Sequence, residues 1–145
     1  AQQTIRYKDL IGDDARYVVP QVFTKYSNAK VLATEYIEGL RSDHNLVQSL
    51  AEPRRNKIAE NFLELYFNEI FNWNFVQTDP HLGNYKIQID SFGQDRIVLL
   101  DFGATKEFKS SFIENYRKMI KGAIIEDYEI FMSGARGLGF VIDSD

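Results

Sequence analysis

The sequence contains no cysteine. Disulfides, thiolate metal sites and a cysteine nucleophile are therefore excluded. Histidine is almost as scarce: only His44 and His81 occur, far apart in the chain, so a histidine-based metal cluster has no ligands to draw on. Neither sign of charge dominates, with 17 Lys and Arg against 21 Asp and Glu for a net charge of −4. That balance does not provide the basic face expected of a nucleic-acid binder. No apolar run approaches the roughly 20 residues that a membrane span requires. The first ten residues, AQQTIRYKDL, have neither the basic start nor the apolar stretch of a secretory signal. Position 1 is not Met, so a processed or trimmed chain is expected. Repeats and low-complexity segments are also missing.

What is present suits one soluble-type domain with a real core. The chain has 145 residues, 44% of them hydrophobic and 26% charged. Aromatic residues are abundant, with 11 Phe and 8 Tyr. Residues 1–16 read as a polar helix tail. Residues 17–26 and 31–37 are rich in β-branched and aromatic residues, with a turn candidate at Ser27-Asn28-Ala29-Lys30, and predict an antiparallel strand pair. Pro20, which has no N–H to donate, belongs at a strand start or edge. After Gly39, residues 41–51 read as a short helix capped by Ser42 or Asp43. Pro53 suits the first turn of a longer helix to about residue 72. Its wide apolar stripe (Ile58, Phe62, Leu65, Phe67, Ile70, Phe71) predicts burial in the centre of a lobe. Tyr85, Ile87 and Ile89 alternate with polar residues as a half-buried strand should, and Ile97–Leu100 is an apolar strand beyond a turn at 90–95. Helices are expected over 110–122, with Phe112, Tyr116, Met119, Ile120 and Ala123 on one side, and from Asp127 to the Gly137-Leu138-Gly139 region. The acidic end, Asp143 and Asp145, reads as solvated. Helices and strands are segregated rather than alternating, which is the α+β class.

The stretch Val76–Gly103 carries the chemistry. Asp79 stands before Pro80, which disfavours helix at the preceding residue and holds Asp79 in a loop. A carboxylate there can accept the proton of an attacking hydroxyl or orient water. Five positions on, Asn84 offers an amide oxygen, a hard neutral donor for Mg²⁺. Asp101 ends the apolar run Ile97-Val98-Leu99-Leu100, and a buried strand ending in an acid projects that acid into a cleft. Gly103 permits a sharp turn behind it. Kinase-like folds place a catalytic acid, a metal-binding amide and a metal-binding acid around ATP phosphates in this order. A net negative charge does not oppose this, because Mg²⁺ screens carboxylates from phosphate. Taken singly, Asp followed by Asn is a common turn or cap pattern; order, spacing and flanking strands together favour function. His81 has no partner for metal binding and most simply shapes the loop. Glu35-Tyr36-Ile37 is either a strand end or a hinge whose backbone holds adenine.

These residues carry a resemblance. Gln77-Thr78-Asp79-Pro80, then Asn84, then Leu99-Leu100-Asp101-Phe102-Gly103-Ala104-Thr105 resemble the UbiB-type (aarF-domain) atypical kinases of ubiquinone, or coenzyme Q, biosynthesis. The nearest likeness is to the mitochondrial branch. Val31–Gly39 resembles that family's strand-to-hinge segment. The resemblance implies a protein-kinase-like fold and ATP with Mg²⁺ as cofactors. It implies Asp79 as the catalytic acid, and Asn84 and Asp101 as metal ligands. Thr34 matches the residue behind adenine, and Glu35, Tyr36 and Ile37 match the hinge. Leu82 and Gly83 depart from the family pattern and mix features of its subgroups. After Gly103 the chain runs almost directly into helix, with no Ala-Pro-Glu segment, which fits ATPases or kinases of small or lipid-like molecules.

The sequence holds no Gly-rich or Ala-rich phosphate loop, no Val-Ala-Ile-Lys-type lysine and no Lys-x-Gly-Gln motif. The expectation is therefore a fragment: residues 1–36 as the end of a small lobe, with a helix tail and two strands, and residues 37–145 as a helical large lobe. Little activity is expected from these residues alone. Two other readings stay open. A phosphotransferase of the aminoglycoside or choline kinase type is disfavoured because Gln77 stands where those enzymes usually carry His. A pseudokinase-like scaffold that binds a nucleotide or partner without turnover is the other. Expected partners are a nucleotide, a small-molecule or lipid-like substrate and other ubiquinone-biosynthesis proteins, but no nucleic acid. A homo-oligomer through exposed lobe surface stays open, as does membrane association of the intact parent on the cytoplasmic or mitochondrial matrix side.

Overall fold

The computed structural model describes residues 1–141; Asp143 and Asp145 lie outside the described residues. The chain forms two compact units, one from 1–66 and 77–105, the other from 67–76 and 106 onward.

The first unit begins with α1 (Gln2–Ile11), which buries Thr4 and Tyr7. A short β1 (Tyr17–Val18) follows, and then the irregular segment 19–40. Next come α2 (Asn45–Gln48) and α3 (Glu52–Phe67). The chain returns through β2 (Phe75–Gln77) to β3 (Tyr85–Gln88) and β4 (Arg96–Leu99), and leaves through β5 (Thr105–Glu107). β4 is the central strand of a three-stranded sheet. Tyr17 pairs with Ile97 in parallel with β1, and Ile87 pairs with Ile97 in the antiparallel ladder with β3. Ile97, Val98 and Leu99 are all at most 2% exposed, so a continuous apolar run is what this position demands. β3 is half-buried and alternates as expected, with Tyr85 and Ile87 inward.

The hairpin between β3 and β4 is anchored to α3. Arg54 donates to both carboxylate oxygens of Asp95, at 2.9 Å to Oδ2, and to the Asp90 carbonyl at 2.7 Å. Burial pushes the Asp95 carboxyl up. The hydrogen bonds from Arg54 and from the Asp90 N–H outweigh that effect and hold it below the usual carboxylate range.

Several expectations need correction. The strand pair over 17–26 and 31–37 is reduced to one antiparallel bridge, Val22 with Thr34. A 3₁₀ turn at Thr24–Tyr26 diverts the backbone, and the Ser27 hydroxyl takes the Ala33 N–H at 3.0 Å. Pro20 lies just past β1 instead of at its start. The cap of α2 is His44, whose Nδ1 accepts from the Leu46 N–H at 3.2 Å, not Ser42 or Asp43. α3 is not a central buried helix: it buries Ile58, Asn61 and Leu65, while Leu63, Tyr66 and Phe67 are exposed.

The second unit is a helical hairpin beside a π-helical turn, Asn68–Asn72. α4 (Ser110–Ile124) and α5 (Tyr128–Gly137) pack so closely that a Cβ on Gly134 would lie 2.5 Å from the Asn115 carbonyl oxygen. α5 starts where the sequence predicts, and Asp127 caps it by accepting from the Ile130 N–H at 3.0 Å. Ile70, Val76 and Ile113 form the small core with Phe71, Phe108 and Tyr116. Phe112 and Ala123, expected on the apolar side of α4, are exposed; Ile113 is buried instead. Among the described residues, no helix is long and apolar enough to cross a membrane.

Candidate functional site

The loop after β2 is built around side-chain hydrogen bonds from Gln77, Thr78, His81 and Asn84. At the end of β2, Gln77 is 4% exposed. Its Oε1 accepts from the Asp79 N–H at 2.5 Å, and its Nε2 donates to the Asp101 carbonyl at 3.1 Å. The Thr78 N–H and hydroxyl both donate to the Ala104 carbonyl. His81 Nδ1 accepts from the Gly83 N–H at 3.0 Å and so caps the 3₁₀ turn Leu82–Asn84. His81 thus shapes the loop.

Asn84 closes the arrangement. Its Nδ2 donates to the Asp79 carbonyl at 3.0 Å, and its own carbonyl accepts from the Leu100 N–H at 3.0 Å. The backbones of Asp79, Asn84 and Asp101 are therefore joined, directly or through one neighbour, into a hydrogen-bonded circuit. Asp79 and Asp101 are exposed, Asn84 is half-buried, and neither carboxylate has an ion pair among the described residues. Phe102 is buried, its ring 4.8 Å from that of the fully buried Tyr7 on α1. That apolar anchor fixes the residue next to Asp101.

Gly103 does not use left-handed backbone freedom. Its N–H donates to Asp101 Oδ1 at 2.7 Å, and a Cβ would sit 3.1 Å from that same oxygen. Small size at a close approach, not an unusual turn, is what the position needs.

The donor set fits Mg²⁺. With Nδ2 engaged, the Asn84 amide oxygen is the atom left to bind a cation, and Asp101 keeps Oδ2 beyond its bond to Gly103. Hard oxygens from one or two carboxylates, completed by water and phosphate, are what Mg²⁺ usually takes. Among the described residues, no group of three His, Cys, Asp or Glu gathers into a metal cage.

The hinge candidates lie elsewhere in the same unit. Thr34 bridges to Val22. The Glu35 N–H donates to the Gln21 carbonyl at 2.8 Å, and its carboxylate accepts from the Gln21 N–H. Tyr36 is 81% exposed. The Ile37 carbonyl accepts from Lys86 Nζ at 3.5 Å, and the same ammonium lies 5.6 Å from the Tyr36 ring centre. Gln88 Nε2 donates to the Glu38 carbonyl at 2.7 Å, and Leu40 forms an antiparallel bridge with Ile87. The strand that starts right after Asn84 therefore holds segment 37–38 on its half-buried polar face. A cleft of about 550 Å³ beside it is lined by Tyr36, Glu38, Leu40, Gln88 and Arg96 among others.

Gln77, Lys86 and Tyr7 were not singled out as site residues from sequence. Gln77 had a signal, because it sits two residues before the acid. Lys86 and Tyr7 become visible only when β3 and α1 are placed.

Comparison with known proteins agrees with these features. A family described as the ABC1 atypical kinase-like domain matches residues 1–133. The mitochondrial atypical kinase coq-8 of Caenorhabditis elegans is 35% identical over 139 residues, covering 94% of this chain and 18% of that protein. The mitochondrial atypical kinase COQ8B of Danio rerio is 31% identical over 136 residues, covering 94% and 21%. The mitochondrial atypical kinase COQ8 of Saccharomyces cerevisiae is 30% identical over 122 residues, covering 84% and 23%. The chain thus spans about a fifth of the length of these relatives. A solved complex of Rv3197 with erythromycin, from Mycobacterium tuberculosis, superimposes with a TM-score of 0.78 at 22% identity, covering 99% of this chain and 35% of that one. The fold is α+β and kinase-like.

Proposed function

The chain belongs to the ABC1 (UbiB-type) atypical kinase family, and from that premise we propose that it carries the metal-binding side of an ATP site of an atypical kinase or ATPase supporting ubiquinone biosynthesis. The observation that carries this proposal is the hydrogen-bonded circuit through Asp79, Asn84 and Asp101, with both carboxylates exposed and without an ion pair among the described residues. In the proposed assignment, residues 1–36 are the end of the small lobe and residues 37–145 belong to the large lobe.

Each residue has a role that its chemistry supports. Asp101 and the Asn84 amide oxygen hold Mg²⁺, which when bound neutralises charge on the transferring phosphoryl group. Asp79 accepts the proton of the attacking hydroxyl or orients water, and its exposure leaves it open to solvent. Thr34, Glu35, Tyr36 and Ile37 take the adenine side, with Lys86 and Gln88 steadying the hinge from β3. The acceptor is a small or lipid-like molecule, and other ubiquinone-biosynthesis proteins are the expected partners. The named relatives are mitochondrial, which favours a mitochondrial site of action.

Phosphoryl transfer depends mostly on positioning and electrostatic stabilisation. This sequence has no Gly-rich phosphate loop and no Val-Ala-Ile-Lys-type lysine. Slow or absent turnover by these 145 residues is therefore expected alongside measurable binding. The same observation favours a scaffold that binds without turnover as the second choice. Calorimetric titration with ATP, with and without Mg²⁺, separates them. The proposed site predicts metal-dependent binding, whereas a scaffold binds nothing or binds without regard to metal. Robust Mg²⁺-dependent hydrolysis by this chain would contradict the expected weakness.

A further inference from the structure

We infer that Gln77 is a positioning residue that sets the Asp101 carboxylate against the Asn84 amide; this rests on the proposed Mg²⁺ and ATP site. The residue is 4% exposed, and its side chain bonds to the backbone of both acids. Both of its polar atoms are committed. Oε1 takes the Asp79 N–H, and Nε2 gives to the Asp101 carbonyl. The circuit continues from the Asp79 carbonyl to Asn84 Nδ2, and from the Asn84 carbonyl to the Leu100 N–H, one residue before Asp101. Gln77 is the link that closes it.

An acceptor and a donor of this reach in one uncharged group are what an amide supplies; a carboxylate offers only acceptors and an aliphatic chain neither. In a buried setting such bonds are strong when satisfied and costly when broken. If the Asp101 peptide is released, the carboxylate it carries can turn away from the Asn84 amide oxygen. The chemistry at Asp79, by contrast, keeps its own carboxylate. The consequence is selective: the metal dependence of binding should change, while metal-free nucleotide binding should not.

Two variants separate the bonds. Gln77→Glu keeps an acceptor for the Asp79 N–H but, when ionised, has no donor for the Asp101 carbonyl; Gln77→Met removes both. At fixed ATP, the Mg²⁺ requirement of Gln77→Glu should rise about tenfold or more, as for other groups that orient metal ligands. Affinity for metal-free ATP and the circular dichroism spectrum should match wild type. Gln77→Met should lose at least as much. A folded Gln77→Glu with a wild-type Mg²⁺ titration, or one equally impaired for metal-free ATP, would overturn the role. A measurement on the wild type guards against misfolding: the Gln77 side-chain amide NMR signals should shift on adding Mg²⁺ with ATP and not with ATP alone. Unmoved signals in a protein that does bind Mg²⁺ and ATP would refute the positioning role alone. A wild type with no metal-dependent ATP binding would refute the proposed site and this role together.

Discussion

The two units hold themselves together differently. In the unit built from 1–66 and 77–105, the loops at 77–84 and 100–104 are fixed by side chains bonding to backbone: Gln77, Thr78, His81, Asn84 and Asp101 each serve a neighbouring peptide. The polar groups left over point outward. In the other unit, α4 and α5 are held by close helix contact through glycine, and α4 carries aromatic stacking of its own, such as Phe112 on Phe108 with centres 5.0 Å apart. The first arrangement spends hydrogen bonds on orienting exposed acids, and the second rests on close packing. Substitutions should therefore separate function from stability according to unit.

The largest stability effect is expected in the helical hairpin. Gly134→Val places atoms where a Cβ already meets Asn115 O at 2.5 Å and Met119 N at 2.6 Å. Backbone cannot yield as a side-chain tip can, so a loss of about 3 kcal/mol is expected in urea unfolding. A loss below about 1 kcal/mol would mean that the hairpin is looser than its geometry.

The opposite pattern is expected at the loops. Asp101→Asn should leave unfolding within about 0.5 kcal/mol of wild type, since the carboxylate is exposed. Mg²⁺-dependent ATP binding should nevertheless be abolished. Asp79→Asn should keep binding and, in a full-length relative with turnover, lower the rate by roughly 10²–10⁴-fold. Equal loss of binding in both variants would erase the distinction between the two acids.

An intermediate effect is expected at Arg54, which is structural yet in the same unit as the site. Arg54→Met strands the buried Asp95 carboxylate and should lower stability by less than Gly134→Val does, because the arginine is partly solvated. The pH dependence has a definite sign. The folded Asp95 pKa lies below its unfolded value, so its contribution is present above the unfolded pKa and is lost as pH falls through the folded one. Acid unfolding curves below about pH 4 should therefore be flatter in Arg54→Met than in wild type. Parallel curves would remove Asp95 from the account.

A small effect on stability, with none on binding, is expected at His81. His81→Ala loses one bond to the Gly83 N–H at an exposed turn, and about 0.5–1 kcal/mol is expected. A change confined to ATP affinity would instead place the imidazole in the site.

The parts of the molecule that were legible in sequence are those with one physical solution. β4 reads as Ile-Val-Leu because it is covered on both faces, and Asp101 follows because a buried strand must end somewhere polar. The start of α5 near Asp127 was readable, and its carboxylate serves the Ile130 N–H there. Segment 31–37 misled because β-branched and aromatic residues favour a pleated, half-buried surface, and here Val31, Leu32 and Tyr36 are 52%, 53% and 81% exposed. Without cover, only one bridge forms. α3 misled for a related reason: apolar spacing shows a face but not what covers it, and Leu63, Tyr66 and Phe67 stay exposed. In the site, the acids were legible from their order, whereas the Gln77 link depends on loops brought together by the fold.

The most direct measurement is an amide NMR titration of the chain with ATP, in the presence and absence of Mg²⁺. The account predicts that Asp79, Asn84 and Gly103 shift only when metal and nucleotide are both present, while Gly134 and its neighbours in the helical hairpin stay fixed. Identical spectra with and without Mg²⁺, or shifts centred on the hairpin, would contradict it.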